Sequence, residues 1–335
     1  MNTALLPIKL DDFVINKSIA CSLKNINTDN VINMIFYGKP NTGRKTLAYG
    51  FLNSFNNCNL TLLRTLNSAE LKIGNNKVNI EYISSPYHIE INLYEYGLYD
   101  KNIISDFLVN HISYKPINDI QFKFIVINHF DYMSRSTQVC LKLLLDKCAD
   151  NVRFIFIAES LARIDSSIIS RLTAVRIPCQ KDEEVAKYID EVSKNHFKLS
   201  QTHKKLILSN YEKDLFVLNN AITCFHYNKK LDFSQINVIN KYIDEIIELI
   251  KEKNLKSIAR IRQIIYNLLL INVTVPYVLK KINTKLISSQ KLNDKIKFKL
   301  VNITSSIEAR MCSIEHDLIC LEFFALKVKK LLISN

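Results

Sequence analysis

With 335 residues, the chain is longer than one ordinary hydrophobic core requires, so its length predicts two or three domains. Hydrophobic residues make up 48% of the chain and charged residues 23%, a balance that excludes an intrinsically disordered protein. The net charge of +13 favours an acidic partner such as nucleic acid, although codon bias can also produce a chain this rich in lysine.

The eight cysteines include no C-x-x-C pair and no Cys/His cluster with zinc spacing, so no metal site is predicted. Met1 to Phe13 lack the charged lead and apolar run of a signal peptide. The apolar stretch Ile264 to Leu279 is interrupted by Asn267, Asn272 and Pro276, so we interpret it as one core helix rather than a membrane span. These features predict a reducing, intracellular compartment and no membrane partner.

The first motif is Val31 to Phe55, an apolar strand followed by a turn with two glycines and an amphipathic helix. This is the layout of a phosphate-binding P-loop, in which backbone N–H groups and a helix N-terminus meet an anion. An ordinary strand, turn and helix with incidental glycines is the alternative. The candidate nucleotide-binding residues are Gly38, Pro40, Asn41, Thr42, Gly43, Arg44, Lys45 and Thr46.

The match to the P-loop pattern is imperfect after its second glycine. With Gly38 and Gly43 as the two glycines, Arg44 stands at the position of the phosphate-binding lysine. Lys45 then stands at the position of the Mg²⁺-binding hydroxyl, and Thr46 lies roughly 100° further round the helix. A shifted register uses Lys45 and Thr46 as the lysine–threonine pair and leaves one residue too many in the loop. Either register predicts nucleotide binding without efficient hydrolysis.

Strands and helices alternate as far as Pro178. Two β segments, Thr61 to Arg64 and Val78 to Ile83, are predicted to be joined by a turn at Gly74 to Asn76. The other predicted elements are a helix at Asn102 to His111, a buried strand at Gln121 to Asn128, a helix at Ser134 to Cys148, a buried strand at Val152 to Ala158, a short helix ending at Ile169 and a strand at Ala174 to Ile177. This alternation predicts a three-layer α/β domain with a parallel sheet, whose ligand lies at the carboxyl ends of the strands.

Helical spacing alone follows Pro178. Helices are predicted at Asp182 to Phe197, Gln201 to Asn210 and Leu215 to Tyr227, and a polar connector, Asn228 to Ser234, leads to long amphipathic helices. The predicted domains are residues 1–178, 179–233 and 234–335. The apolar faces of the last domain favour partner helices, with a self-contained bundle as the alternative.

A second part of the nucleotide site is expected at the ends of the two buried strands. P-loop ATPases carry there an acidic pair that holds Mg²⁺ and polarises water, but this chain has Asn128 and His129. Neutral Asn128 is a poor metal anchor, so Mg²⁺ is disfavoured. Asp131 is predicted to cap the following helix. Glu159, after the strand Val152 to Ala158, is expected to repel a γ-phosphate.

Two further groups of polar residues are candidates for a chemical role. Arg171 precedes the last strand, where an arginine can act as a trans-acting finger on a neighbouring subunit's nucleotide; a solvated or capping arginine is the alternative. His88 and Glu90 can both bind protons, and in an extended segment they lie on one face. We interpret this pair as structural.

Together these segments resemble the small subunits of replication factor C, the sliding-clamp loaders of eukaryotes, which belong to the AAA+ class. The motifs are SSPYHIEINLYEYGLYDKNIISDFL, GRKT, MSRSTQVCLKLLLDK, Ser170-Arg171-Leu172, ARIRQIIYNLLLINVTVPYVLKK and EARMCSIEHDLICLEFFALKVKKLL. The chain most resembles the type numbered 3 or 5 in different nomenclatures, which is regarded as lacking ATPase activity of its own. The resemblance covers roughly residues 30 to 331.

The resemblance implies an α/β P-loop AAA+ domain, a helical lid and an all-α collar that joins four other loader subunits in a ring. Such an assembly opens a PCNA-type sliding clamp and places it on primer-template DNA in an ATP-dependent reaction. ATP or ADP is the implied ligand, and Arg135 and Lys142 are candidates for DNA phosphate contacts, with solvated helix charges as the alternative. A nuclear location and roles in DNA replication and repair are also implied.

Four departures from the family pattern fall on one site. The aromatic-basic lead is missing before Asp11, and Asn128-His129 replaces the acidic pair. Glu159 replaces the sensor asparagine, and Phe216 replaces the second-sensor arginine. We therefore expect a degenerate ATP site in a structural subunit, with Arg171 completing a neighbour's site. An active ATPase in the shifted loop register and a nucleotide-independent adaptor are the alternatives.

Overall fold

A computed structural model describes most of the chain, and contacts divide it into two units, Met1–Lys229 and Lys230–Asn335. The described residues are 6–26, 31–56, 59, 63–73, 76–109, 122–147, 151–195, 199–227, 238–252, 254, 257–270, 275–288, 293–311 and 317–333. The two units are described separately.

The described residues of the first unit form a seven-stranded sheet. Its strands are β1 (Met34–Tyr37), β2 (Thr65–Ile73), β3 (Asn76–Ser84), β4 (His88–Ile91), β5 (Lys123–Ile127), β6 (Val152–Ala158) and β7 (Thr173–Arg176). They lie in the order β2-β3-β4-β5-β6-β1-β7. The five strands from β4 to β7 in this order are parallel, as predicted, whereas β2 and β3 form an antiparallel hairpin beside β4.

The central strand β5 shows why this domain has three layers. Its residues Phe124 and Val126 belong to one hydrophobic core, and Ile125 and Ile127 belong to another. Because successive side chains of a strand point to opposite faces, both faces of the sheet are covered. The continuous apolar run of this strand is therefore explained by burial on two sides, as the sequence predicts.

Helices cover the two faces and extend the first unit beyond β7. They are α1 (Lys17–Lys24), α2 (Arg44–Phe55), α3 (Asp100–Asn102, continuing as a π-helical turn, Ile103–Leu108), α4 (Arg135–Lys147), α5 (Ser166–Ile169), α6 (Asp182–Asn195), α7 (Gln201–Asn210) and α8 (Leu215–Tyr227). The bounds of α7, α8 and β6 agree with the predicted ones. The predicted polar connector, Asn228 to Ser234, lies outside the described residues, and the three-domain division stays a prediction.

The predicted β segment Thr61 to Arg64 is wrong, because the strand begins at Thr65 and continues to Ile73. This strand is outermost in the strand order, and polar residues such as Glu70 and Lys72 occupy its exposed positions. An apolar pattern therefore does not mark it. Gly74 and Asn75 of the predicted turn lie outside the described residues.

The second unit consists of helices. They are α9 (Val238–Lys251), α10 (Ser257–Leu270), α11 (Val275–Ser288), α12 (Asp294–Met311) and α13 (Asp317–Ile333). Their core includes Ile246, Ile264, Leu268 and Phe324, each at most 1% exposed.

The predicted helix Ile264 to Leu279 corresponds to parts of two helices, and residues 271–274 between them lie outside the described residues. Helix α10 ends at Leu270, and α11 begins at Val275. Pro276 lies in the first turn of α11, where a missing backbone N–H costs no helical hydrogen bond. Throughout the described ranges, no helix has both the length and the apolar composition that a bilayer crossing requires.

Candidate functional site

The predicted loop follows β1 and leads directly into α2. Gly38 lies against the end of β7, where an added Cβ atom would be 2.3 Å from the carbonyl oxygen of Ile177. Gly43 has a φ of +91°, a left-handed conformation that favours glycine, and α2 begins at the next residue. The strand, loop and helix of the P-loop prediction are therefore present, and each glycine has a steric or conformational reason.

The rest of the loop is fastened to neighbouring elements of the same unit. Thr42 is fully buried, and its carbonyl oxygen accepts a hydrogen bond of 3.2 Å from Nε2 of Gln180. Asn41 donates from Nδ2 to Oδ2 of Asp214 at 2.9 Å, and its carbonyl oxygen accepts from the backbone N–H of Leu215 at 3.1 Å. The start of α8 is thus bound to the loop. Pro40 is exposed, and Thr46 is half-buried in the first turn of α2.

Arg44, at the position of the phosphate-binding lysine, interacts with the end of β6. Its guanidinium donates from Nη1 to the carbonyl oxygen of Ala158, and Nη2 lies 3.7 Å from Oε1 of Glu159. The side chain is only 10% exposed. Burial lowers the pKa of Arg44, and the charge of Glu159 opposes this effect. The loop cation and the carboxylate expected to repel a phosphate therefore neutralise each other.

Lys45 pairs with a second carboxylate, that of Glu90 on β4. Glu90 is buried and also accepts hydrogen bonds from the hydroxyl of Tyr49 and from Nδ2 of Asn128. Burial acts to raise the pKa of Glu90, but the charge of Lys45 and the hydrogen bonds from Lys45, Tyr49 and Asn128 outweigh it and hold that pKa below its usual value. Asn128 therefore serves a carboxylate of the chain. Among the described residues, no three His, Cys, Asp or Glu side chains form a group that could hold a metal ion.

His88 lies beside this cluster on β4 and is completely buried. Its Nδ1 is 2.5 Å from Oγ of Ser85, which already accepts from the backbone N–H groups of Tyr87 and His88. The hydroxyl of Ser85 therefore fixes this edge of the imidazole ring. Burial lowers the pKa of His88 to about 4, so the ring is neutral at pH 7.

The prediction that Asp131 caps the following helix is wrong. Its Oδ2 accepts from the backbone N–H groups of Glu159 and Ser160 at 3.2 and 3.3 Å. Helix α4 begins at Arg135, and Oγ of Ser134 accepts from the N–H of Thr137 at 3.3 Å. Ser134 is therefore the N-cap, and Asp131 comes too early in the chain to reach these amides. Its role is to hold the turn after β6.

Arg171 is exposed and makes a two-pronged ion pair with Asp146 of α4. Its Nε and Nη2 donate to the two carboxylate oxygens at 2.6 and 3.2 Å, and Nη1 donates to the carbonyl oxygen of Ser167 at 2.7 Å. The hydrogen bond with Asp146 raises the pKa of Arg171 and lowers that of Asp146. The guanidinium thus has a defined orientation on the surface.

Arg135 and Lys142, the candidates for DNA contacts, lie on the outer face of α4. Arg135 is exposed, and Lys142 is half-buried. Hydrogen bonds from Ser167 lower the pKa of Asp165, and the charges of Lys142 and Arg135 lower it further. Both basic residues therefore act on one nearby carboxylate, and their contact with DNA stays a prediction.

Sequence reasoning missed the partners of the basic side chains. From the sequence, Glu90 is predicted to form a structural pair with His88, and no role is predicted for Asp146 or Asp214. One signal was available: Arg44 opens the helix after one predicted strand and Glu159 directly follows another, so two opposite charges are expected at the carboxyl edge of one parallel sheet. The other contacts join elements whose proximity depends on the tertiary fold.

The described residues define an α/β protein with a P-loop-type strand, loop and helix, followed by a helical C-terminal unit. A solved structure of a DNA polymerase III gamma subunit-related protein from Thermotoga maritima superposes with a TM-score of 0.51 at 11% identity, covering 94% of this chain and 98% of that chain. This likeness concerns the fold alone.

Sequence comparisons show which proteins the chain resembles. The model of the replication factor C subunit 3 C-terminal domain matches residues 237–334. Replication factor C subunit 5 of Saccharomyces cerevisiae is 23% identical over 96% of both chains. Replication factor C subunit 3 of Arabidopsis thaliana is 26% identical over 91% of this chain and 89% of its own. The chain is thus similar to small subunits of replication factor C over most of its length.

Proposed function

We propose that the chain is a structural and regulatory subunit of a clamp loader. In this proposal four other subunits complete the ring, which opens a PCNA-type sliding clamp and loads it onto primer-template DNA with the energy of ATP. Similarity to replication factor C subunits over most of the chain supports this role. The proposed parts are an AAA+ domain at residues 1–178, a lid at 179–233 and a collar at 234–335. The proposed location is the nucleus, with roles in DNA replication and repair.

One observation carries the proposal that this subunit does not hydrolyse ATP. Both basic side chains of the loop, Arg44 and Lys45, are paired with carboxylates of the chain itself. A phosphate group must therefore compete with Glu159 and Glu90 for these charges. The missing acidic pair also leaves no anchor for Mg²⁺ at Asn128. Any ATP or ADP in this site is held by the loop backbone and stays intact.

Arg171 is proposed to act on a neighbour's nucleotide. Its guanidinium is exposed and oriented, which suits stabilisation of charge on a transferring phosphoryl group. Arg135 and Lys142 are proposed to contact phosphates of the DNA backbone.

The test is ATP hydrolysis by the reconstituted five-subunit complex. We expect Arg171→Ala to lower turnover and the double variant Arg44→Ala/Lys45→Ala to leave it unchanged. If the loop variant removes one site's share of turnover, the chain is an active ATPase and the proposal is wrong. Size-exclusion chromatography checks that each variant complex is complete. Mass analysis of the denatured chain then separates a bound nucleotide from a nucleotide-independent adaptor.

A further inference from the structure

A second residue belongs to the site that Arg171 is proposed to complete. We propose that Asp146 is a positioning residue, which holds the guanidinium of Arg171 in the orientation required to reach the neighbouring subunit's nucleotide phosphates. The inference rests on the proposed function of Arg171 as a finger. It adds the residue of this chain that makes the finger effective.

The hydrogen bonds of Arg171 leave a defined part of the guanidinium for a ligand. The group carries five N–H bonds in a rigid plane. Asp146 takes one from Nε and one from Nη2, at 2.6 and 3.2 Å, and the carbonyl oxygen of Ser167 takes one from Nη1 at 2.7 Å. One N–H remains on each terminal nitrogen. Two donors fixed in one plane can bind two oxygens of a phosphate.

Both ends of this arrangement are anchored in the domain core. Asp146 follows Leu144 and Leu145 of α4, which are buried in the core. The backbone N–H of Arg171 donates to the carbonyl oxygen of Ile168 at 2.9 Å, and Ile168 is buried in the same core. The carboxylate and the arginine backbone are therefore held by the same packed layer, which restricts the side chain between them.

The ion pair between Arg171 and Asp146 is expected to contribute little to the stability of the fold. The side chains of Arg171 and Asp146 are 35% and 50% exposed, and exposed ion pairs contribute little to folding. Loss of Asp146 is therefore expected to change the geometry of the finger rather than the fold. The opposite role, in which Asp146 withholds Arg171 from the neighbour, predicts a gain of turnover in its absence.

The experiment is a double-mutant cycle on ATP turnover by the reconstituted complex. We expect Asp146→Asn to lower the kcat of the finger-dependent turnover about threefold with the KM for ATP unchanged, because positioning acts on the reaction rather than on binding. Asp146→Glu should restore part of this loss. In the Arg171→Ala background, Asp146→Asn should have no further effect.

The matched control is Asp190→Asn. Asp190 also holds a basic residue of the first unit in an ion pair, with Lys204 at 2.6 Å. This variant should leave kcat unchanged.

The outcomes separate this inference from the function on which it rests. If Arg171→Ala has no effect on turnover, the proposed function of Arg171 is wrong. If Arg171→Ala lowers turnover but Asp146→Asn equals or exceeds the unmodified complex, Arg171 remains a finger and the positioning role is overturned. A loss from Asp146→Asn that persists in the Arg171→Ala background also overturns it, because Asp146 then acts through another group.

Discussion

Arg44 and Glu159 both depart from the nucleotide-binding pattern, and their side chains carry opposite charges. Arg44 is nearly buried, so its guanidinium needs a counter-charge to offset desolvation. Glu159 supplies that charge at 3.7 Å. The two side chains therefore match each other's charge at the edge of the sheet.

Removal of this carboxylate should strengthen nucleotide binding. In Glu159→Gln, Arg44 loses its competing anion and a phosphate no longer meets a negative charge at the end of β6. We expect the affinity for ADP to rise about tenfold, which corresponds to ~1.4 kcal/mol. Isothermal titration calorimetry measures this change. The control Arg44→Ala/Glu159→Gln should lack most of the gain, and an unchanged affinity in Glu159→Gln would show that Glu159 does not limit binding.

His88 should make stability depend on pH below neutrality. Its pKa of about 4 in the folded chain lies below the ordinary value of 6.5, so between these values the unfolded chain binds a proton that the folded chain does not. The free energy of unfolding therefore falls as the pH decreases through this window. From pH 7 to pH 5 the expected loss is about 2 kcal/mol.

The measurement is the midpoint of thermal unfolding at pH 7 and pH 5 for the unmodified chain and for His88→Asn. The difference between the two pH values should be smaller in the variant, whatever its absolute midpoint. Equal differences in both proteins would contradict the assignment of this pH dependence to His88.

The carboxylate of Asp214 connects helix α8 to the loop between β1 and α2. Oδ1 of Asp214 accepts from the backbone N–H groups of Phe216 and Val217 at 2.8 and 3.2 Å, which caps the helix. Oδ2 accepts from Nδ2 of Asn41 at 2.9 Å. The start of the helix and the centre of the loop therefore move together.

Asp214→Ala should loosen this connection. Loss of the N-cap is expected to cost about 1 kcal/mol of stability. The backbone N–H of Leu215, which donates to Asn41, should exchange with solvent faster, as measured by hydrogen–deuterium exchange. Asp165→Ala is the matched control, since Asp165 likewise caps a helix, α5, through the N–H of Ser167. An unchanged exchange rate at Leu215 would contradict the connection.

Elements with a strong local pattern could be predicted from the sequence. The bounds of β6, α7 and α8 agree with prediction because burial on both faces, or a clear helical period, is visible in a short window. Strand β2 could not be placed in the same way, since its position at the end of the strand order leaves polar residues on exposed sites. The prediction of a parallel sheet is confirmed for the other strands, and β2 and β3, which flank the turn expected at Gly74 to Asn76, pair as a hairpin.

The residues of the candidate site could be predicted better than their partners. Loop position and helix start follow from Gly38 and Gly43, which local geometry requires. The pairing of Lys45 with Glu90 depends on where β4 lies relative to α2, and that is a result of strand order. Asp131 illustrates the same limit, because its hydrogen bonds reach the turn after β6 rather than the adjacent helix.

In the chain as a whole, the match to the family model and the candidate phosphate-binding loop lie in different units. The family model matches residues 237–334, within the second unit, whereas the loop and Arg171 lie in the first. The second unit is held together by a core of its own and by the buried Lys329, whose Nζ donates to the carbonyl oxygen of Leu249 at 2.9 Å and to Ser257. A helical unit with its own core does not depend on the chemistry of the loop for its fold.

The position of Gly38 beneath Ile177 has a consequence for how such loops are recognised. The N–H of Ile177 donates to the carbonyl oxygen of Tyr37 at 2.8 Å, so the last strand is hydrogen-bonded to the chain immediately before this glycine. Any side chain at Gly38 would displace that strand, with or without a nucleotide. A motif search that scores this glycine therefore counts a requirement of strand packing. A protein that no longer binds the ligand can therefore keep this glycine, which is one of the two in the loop motif.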